Sequence, residues 1–311
     1  MVEASDLQRT AAALSIVFAL GACSFPLLRL SRLIRAAALT LLAIPVFLAP
    51  LLVRVASTEL RLVVSLMSIM IGVKLYDLHR TVETGPPPGA WEFFTYLPNA
   101  CNLVLRRGGR RNRPGLRADT IRLLWLIPTT IACGLLVAAV WQVDWRRYPW
   151  IIEHCAKVIA ICAFIQFSLN IVPVAWRLAG VTALDFSGWF FAAATPAEFW
   201  RRWNQPAGQF MREYLFVPTG GIRALFLAVM VTFVFNGLLH EYVFDIAAGR
   251  VLGWAVLFFV IQGLATIATM RLRPRGYGKA IGILLTLFFN LVTSLLIFAC
   301  VDAVVPFYSV R

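Results

Sequence analysis

Long apolar runs recur along the whole chain, and they restrict its fold more than any other feature. The 311 residues are 60% hydrophobic and only 14% charged, whereas an ordinary soluble domain is about 45–50% apolar and about 25% charged. A run of about 20 apolar residues is long enough to cross a bilayer as a helix. We therefore predict an all-α protein, a polytopic transmembrane helical bundle. A soluble enzyme, a disordered chain and a fibrous protein are excluded.

Eight segments are predicted to span the membrane. Six are long and clean, at 11–28, 36–53, 123–141, 224–244, 251–270 and 280–304. The segment 62–73 has only 12 uncharged residues and must borrow flanking residues, while 151–176 carries Glu153, His154 and Lys157. Because each span would pack against its neighbours in one bundle, we predict a single membrane-embedded domain over residues 1–311.

The basic residues between the spans predict the orientation of the bundle. With the N-terminus outside, the inside segments contain 21 Lys and Arg and the outside segments contain seven. Basic residues concentrate on the cytoplasmic side of membrane proteins, so we predict that both termini lie on the non-cytoplasmic side. This placement also explains the net charge of +14 by contact with anionic headgroups. The expected partner is therefore the lipid bilayer and not a nucleic acid; the oligomeric state is left open.

Two of the inside segments are not simple loops. Residues 91–105 are apolar and aromatic but too short to span, and residues 180–210 mix tryptophan and phenylalanine with small and polar residues. We predict that both are re-entrant or interfacial. Irregular backbone at membrane depth needs protein or a water-filled cavity to satisfy its amides. The bundle is therefore expected to enclose a cavity that could serve as a reaction chamber.

His240 is the most informative histidine in the sequence. It lies sixteen residues into the span 224–244, with Glu241 beside it. Ionisable groups inside spans are costly and usually face the bundle interior, so they are candidate functional residues. Asn236, four residues earlier, shares the helical face of His240, whereas Glu241 lies about 100° around the helix. The alternative is a structural histidine that is hydrogen-bonded between helices.

A second polar segment, at 198–221, interleaves arginines with aromatic residues. Guanidinium groups pair with phosphates, and aromatic rings can line the apolar part of a ligand. Together with the two neighbours of His240, this segment supplies the predicted substrate-binding residues, which are Arg201, Arg202, Trp203, Arg212, Tyr214, Asn236 and Glu241. The basic run 106–117 could also hold phosphates. The alternative is an amphipathic interfacial helix with a snorkelling basic face.

The same residues resemble the membrane-bound O-acyltransferase (MBOAT) family. The resemblance is carried by FWRRWN and REYLFVPTGG within 199–221, followed by FNGLLH at 235–240. It implies that His240 is the catalytic histidine and that Asn204 occupies the family's Asn/His position. The REYLFVPTGG part is similar to the branch that acylates polysaccharides. Asn204, the His-Glu-Tyr at 240–242 and KLYDLHR at 74–80 are closer to the lipid-acylating branch, especially wax synthases.

The resemblance implies transfer of an acyl group from acyl-CoA to a hydroxyl acceptor, with a long-chain alcohol or another lipid as first choice. Forming an ester from a thioester needs a base for the hydroxyl proton and a donor for the carbonyl oxygen. We assign the base to His240, and Asn204 either holds the carbonyl or orients the acceptor. Acyl-CoA is a co-substrate. No tightly bound cofactor is expected, and the scattered cysteines and histidines predict no metal site.

Other functions remain open. The first alternative is an O-acetyltransferase that acts on a polysaccharide or a small metabolite. A proton-coupled transporter could use His240, Glu241 and Asp245 as a relay. A scaffold that has lost activity would keep the helices without needing the pair of Asn204 and His240.

Overall fold

The structure is a computed structural model that describes residues 3–105 and 115–309. The described residues contain no strand, which confirms the all-α prediction. The described α-helices are α1 (Ala4–Leu27), α2 (Arg32–Leu48), α3 (Thr58–Thr84), α4 (Ala90–Tyr96), α5 (Leu116–Trp141), α6 (Trp150–Leu178), α7 (Pro196–Arg202), α8 (Gln205–Met211), α9 (Leu225–Ala248), α10 (Trp254–Thr269) and α11 (Tyr277–Asp302).

Each of the eight predicted spans coincides with a helix, but only seven described helices are long and apolar enough to cross a membrane. The exception is α10, which the sequence presents as a clear span over 251–270. Its helix has 16 residues and is therefore roughly 24 Å long. Gly253 adopts a left-handed conformation with φ of 78°, so the helix begins after it and the preceding apolar residues lie outside the helix.

The third span is longer than predicted, because its charged residues lie inside the helix. Helix α3 has 27 residues, and Lys74 within it is fully buried. Its Nζ donates hydrogen bonds to three backbone carbonyl oxygens, those of Tyr96 at 2.5 Å, Asn99 at 2.9 Å and Asn102 at 2.8 Å. The segment after α4 thus supplies the acceptors that make this lysine compatible with the interior of the protein.

Asp77, one turn further along α3, is also fully buried and has matching donors. Its carboxylate accepts hydrogen bonds from the hydroxyl of Tyr96 at 2.8 Å, the backbone N–H of Leu105 at 3.0 Å and the hydroxyl of Tyr214 at 2.7 Å. Lys74 and Asp77 together attach the 91–105 segment to α3, and Asp77 also attaches Tyr214.

Both irregular segments pack into the protein as expected from their composition. In 91–105, Phe93 and Tyr96 are buried against the hydrophobic core of α1 and α3. In 180–210, Ala194 approaches α11 so closely that a Cβ on Gly282 would lie 2.6 Å from its carbonyl oxygen. The 180–210 segment therefore requires glycine at that position of α11.

Replacing Lys74 with leucine is expected to destabilise the protein by roughly 3 kcal/mol or more, because three buried carbonyls lose their donor and Asp77 remains. The melting temperature of the purified protein in detergent should fall by about 5 °C or more. The control is Lys279→Leu, since Lys279 is exposed at the start of α11. Equal melting temperatures for the two variants would contradict this account of the lysine.

Candidate active site

A cavity of about 880 Å³ lies among α7, α8, α9 and α10. Six of the predicted site residues line it, namely Arg201, Trp203, Asn204, Arg212, Asn236 and His240. The segments that carry them are separated by more than twenty residues of chain. The structure therefore brings the polar segment before α9 and the histidine within α9 to one space.

The position of His240 follows from close packing of α9 on α10. A Cβ on Gly237 would lie 3.0 Å from Cα of Val256 and 3.2 Å from Cβ of Phe259, so the absence of a side chain allows this approach. The imidazole of His240 then packs on the ring of Phe259, with their centroids 4.6 Å apart.

One hydrogen bond fixes the tautomer of His240. Its Nδ1 lies 2.9 Å from the backbone oxygen of Asn236. A carbonyl oxygen can only accept, so Nδ1 carries a proton, and in the neutral ring Nε2 therefore has a free lone pair. No described residue forms a hydrogen bond with Nε2. The neutral ring is therefore oriented to accept a proton from a group in the cavity.

Asn204 has a strained backbone conformation, and its side chain caps α8. Its φ of 38° makes it the one non-glycine residue with positive φ among those described. Its side-chain oxygen accepts a hydrogen bond from Ala207 N–H at 3.3 Å and caps α8. Because the oxygen is engaged, the amide Nδ2 remains as the donor available to the cavity. The sequence signal for this cap is Pro206 in the first turn of α8.

Arg202 does not line the cavity. Its guanidinium pairs with Glu198 at 2.5 Å and donates to the backbone oxygen of Trp189. Burial opposes the ionisation of Glu198, but the Ala194 N–H and the arginine outweigh burial and lower its pKa. The ionised pair holds α7 to the preceding turn, and the role of Arg202 in substrate binding stays a prediction.

Tyr214 and Glu241 are likewise outside the cavity lining. The Tyr214 hydroxyl donates to Asp77. The carboxylate of Glu241 accepts hydrogen bonds from the backbone N–H groups of Gly253 and of Val256, the latter at 3.0 Å. Glu241 therefore caps the N-terminus of α10, where a negative charge is favourable. The structure thus places both residues outside this cavity, and their role in substrate binding stays a prediction.

The cavity is basic, and one of its arginines was not predicted. Arg201, Arg212 and Arg273 line it and are exposed. Arg273 follows α10, far along the chain from the other two, and it is held by hydrogen bonds to the backbone oxygens of Met270 and Leu272. The ion pairs within the described chain involve none of the three arginines. Residues 106–114 of the predicted basic run lie outside the described residues.

Comparison with known proteins relates the chain to a family and to a curated relative. The model of the membrane-bound O-acyltransferase (MBOAT) family matches residues 120–301. Acyl-CoA–sterol O-acyltransferase 1 of Arabidopsis thaliana is 29% identical over 153 residues, which are 43% of this chain and 44% of that protein. The chain thus matches less than half the length of this relative.

Proposed function

Since the chain belongs to the membrane-bound O-acyltransferase family, we propose that it is a multi-pass membrane enzyme that transfers an acyl group from acyl-CoA to a hydroxyl acceptor. The observation that carries the proposal is that one cavity contains an imidazole with a free Nε2, a free amide donor and three arginines. These are the groups that ester formation from a CoA thioester requires.

In the proposed reaction, the acceptor hydroxyl donates a hydrogen bond to Nε2 of His240. As its oxygen attacks the thioester carbonyl, the proton moves to Nε2, and Asn204 Nδ2 donates to the carbonyl oxygen while negative charge develops there. The carbon–sulfur bond then breaks. The leaving thiolate takes the proton back from the imidazolium, so that free CoA and the ester leave a neutral histidine.

The three arginines are assigned to the phosphates of CoA. Guanidinium groups form charge-assisted hydrogen bonds with phosphate oxygens, and these three are exposed where CoA could reach them. Under the predicted orientation, this end of the cavity faces the cytoplasm, and both termini lie on the opposite side.

The proposed acceptor is a lipid alcohol, with a long-chain alcohol first and a sterol second. Aromatic side chains, including Trp200, Phe233 and Phe259, line the cavity beside His240 and favour an apolar substrate. The name of the Arabidopsis relative refers to a sterol, and a sterol has the same combination of a hydroxyl and an apolar body.

The test uses purified protein in proteoliposomes with radiolabelled acyl-CoA and, separately, a long-chain alcohol, a sterol and a sugar. We expect a labelled lipid ester and free CoA. Product with the sugar alone would refute the lipid acceptor. Accumulation of label inside the vesicles without an ester would indicate a transporter, and the absence of both would refute the activity.

Replacing Arg201 or Arg212 with glutamine is expected to raise KM for acyl-CoA by about 10-fold, because one charge-assisted contact to phosphate is lost. Since the phosphates lie far from the reacting carbonyl, kcat should change little. Steady-state kinetics over a range of acyl-CoA concentrations would measure both. Arg147→Gln is the control, as the Arg147 side chain is 79% exposed and pairs with Asp144. An unchanged KM in both cavity variants would remove these arginines from the CoA site.

A further inference from the structure

A hydrogen-bond chain through buried Gln262 and half-buried Asn290 connects the cavity to α11. Gln262 of α10 is only 1% exposed. Its Oε1 accepts a hydrogen bond from the indole N–H of Trp200 at 2.9 Å. Its Nε2 donates to Oδ1 of Asn290 at 3.2 Å and to Oγ1 of Thr293 at 2.9 Å.

The indole of Trp200 determines which group donates and which accepts in this hydrogen-bond chain. The indole N–H can only donate, so Gln262 must present its oxygen to Trp200 and its NH₂ group to α11. Asn290 then presents its oxygen to Gln262, and its own Nδ2 is buried with no hydrogen-bond partner. An unpaired buried donor is costly. Apolar contacts would join α10 to α11 without this cost, so stability alone does not account for the hydrogen-bond chain.

Trp200, which this hydrogen-bond chain holds in place, is part of the cavity lining. The Trp200 ring packs on Phe233 with centroids 5.3 Å apart and on Phe259 with centroids 5.5 Å apart. Phe259 in turn packs on His240. We call Trp200, Phe233 and Phe259 the aromatic wall. It extends from Arg201, the next residue after Trp200, to the ring of the proposed base.

We propose that Gln262 is a positioning residue that fixes the Trp200 indole in the aromatic wall, and that the fixed wall determines which acyl chains fit beside His240. The inference rests on the proposed acyl transfer. Trp200 is held by one hydrogen bond and by ring contacts to Phe199, Phe233, Phe258 and Phe259. The indole therefore cannot rotate to make room, and the enzyme should discriminate between acyl chains by length. Without the hydrogen bond, the indole can turn and longer chains can enter.

The experiment measures kcat/KM for a series of saturated acyl-CoAs from C8 to C18 in wild type, Gln262→Leu and Trp200→Phe. Leucine removes the acceptor, and phenylalanine removes the donor while keeping an aromatic ring. In both variants, the ratio of kcat/KM between the best chain and one four carbons longer should fall by about 10-fold or more, because even one methylene group in an apolar pocket is worth about 10-fold or more. The double variant should show no further change, because the same hydrogen bond is already lost.

A purely structural role predicts a different result. Loss of folded protein would lower kcat/KM for every acyl-CoA by the same factor and leave the ratios unchanged, and that result would overturn the inference. If Gln262→Leu does not fold, Gln262→Met, which also lacks the acceptor and is closer to glutamine in length, takes its place. Acyl transfer by the wild type tests the proposed function separately, so an active enzyme with unchanged chain preference in the variants would refute only the role of Gln262.

Discussion

Replacing His240 with alanine is expected to abolish acyl transfer, with a loss of at least about 10³-fold in turnover. A general base contributes typically about 10²–10⁴-fold, and the cavity-lining His240 has one nitrogen held by Asn236 and the other free. His240→Gln should be equally inactive, because its amide fills similar space but cannot take up a proton. Turnover of radiolabelled acyl-CoA by the purified variants measures the effect.

The matched control is His79→Ala. His79 is also partly buried, but it pairs with Glu83 near the end of α3 and does not line the cavity. Its variant should retain wild-type turnover, and all three variants should keep melting temperatures near that of the wild type. Full turnover by folded His240→Ala protein would refute the assignment of the base.

Replacing Asn204 is expected to lower kcat by about 10²-fold, the usual cost of losing one donor to a developing oxyanion. The alanine variant alone would be ambiguous, because Asn204 also caps α8 from a left-handed backbone. Asn204→Asp keeps an oxygen for the cap and tolerates this backbone, but it lacks the amide donor. Asn204→Gly keeps the backbone freedom and lacks both groups.

If the donor matters, the aspartate and glycine variants should both show the loss of kcat. If only the cap matters, Asn204→Asp should remain as active as the wild type, and that outcome would exclude Asn204 from the reaction. Measuring kcat together with the melting temperature for the two variants separates these possibilities.

The spans could be predicted because membrane crossing depends on the length of an apolar run, which the sequence displays directly. The prediction of α3 was too short because Lys74 and Asp77 interrupt its apolar run. Their partners lie on the 91–105 segment and on Tyr214, and the sequence does not show which distant groups meet. For α10 the prediction was too long, because the start of the helix after left-handed Gly253 depends on backbone conformation and not on hydropathy.

The candidate site, too, could be predicted only in part from the sequence. The positions of His240 and Asn204 in one cavity could be anticipated from the motifs that carry them. The contacts of Glu241 could not, since its partners belong to the first turn of α10. His154 is also an ionisable residue within a span, yet both of its ring nitrogens have partners, Tyr308 on one side and Leu291 and Ser294 on the other. Sequence alone does not distinguish such a structural histidine from one with a free nitrogen.

The central claim is that one cavity holds acyl-CoA with its thioester beside His240. A cryo-EM structure with a non-hydrolysable acyl-CoA analogue tests this most directly. We predict phosphates against Arg201, Arg212 and Arg273, and a thioester-position carbon roughly 6 Å or less from Nε2, since one hydroxyl group must fit between them. An analogue bound outside the cavity, or one whose reactive carbon lies far from this imidazole, would contradict the account.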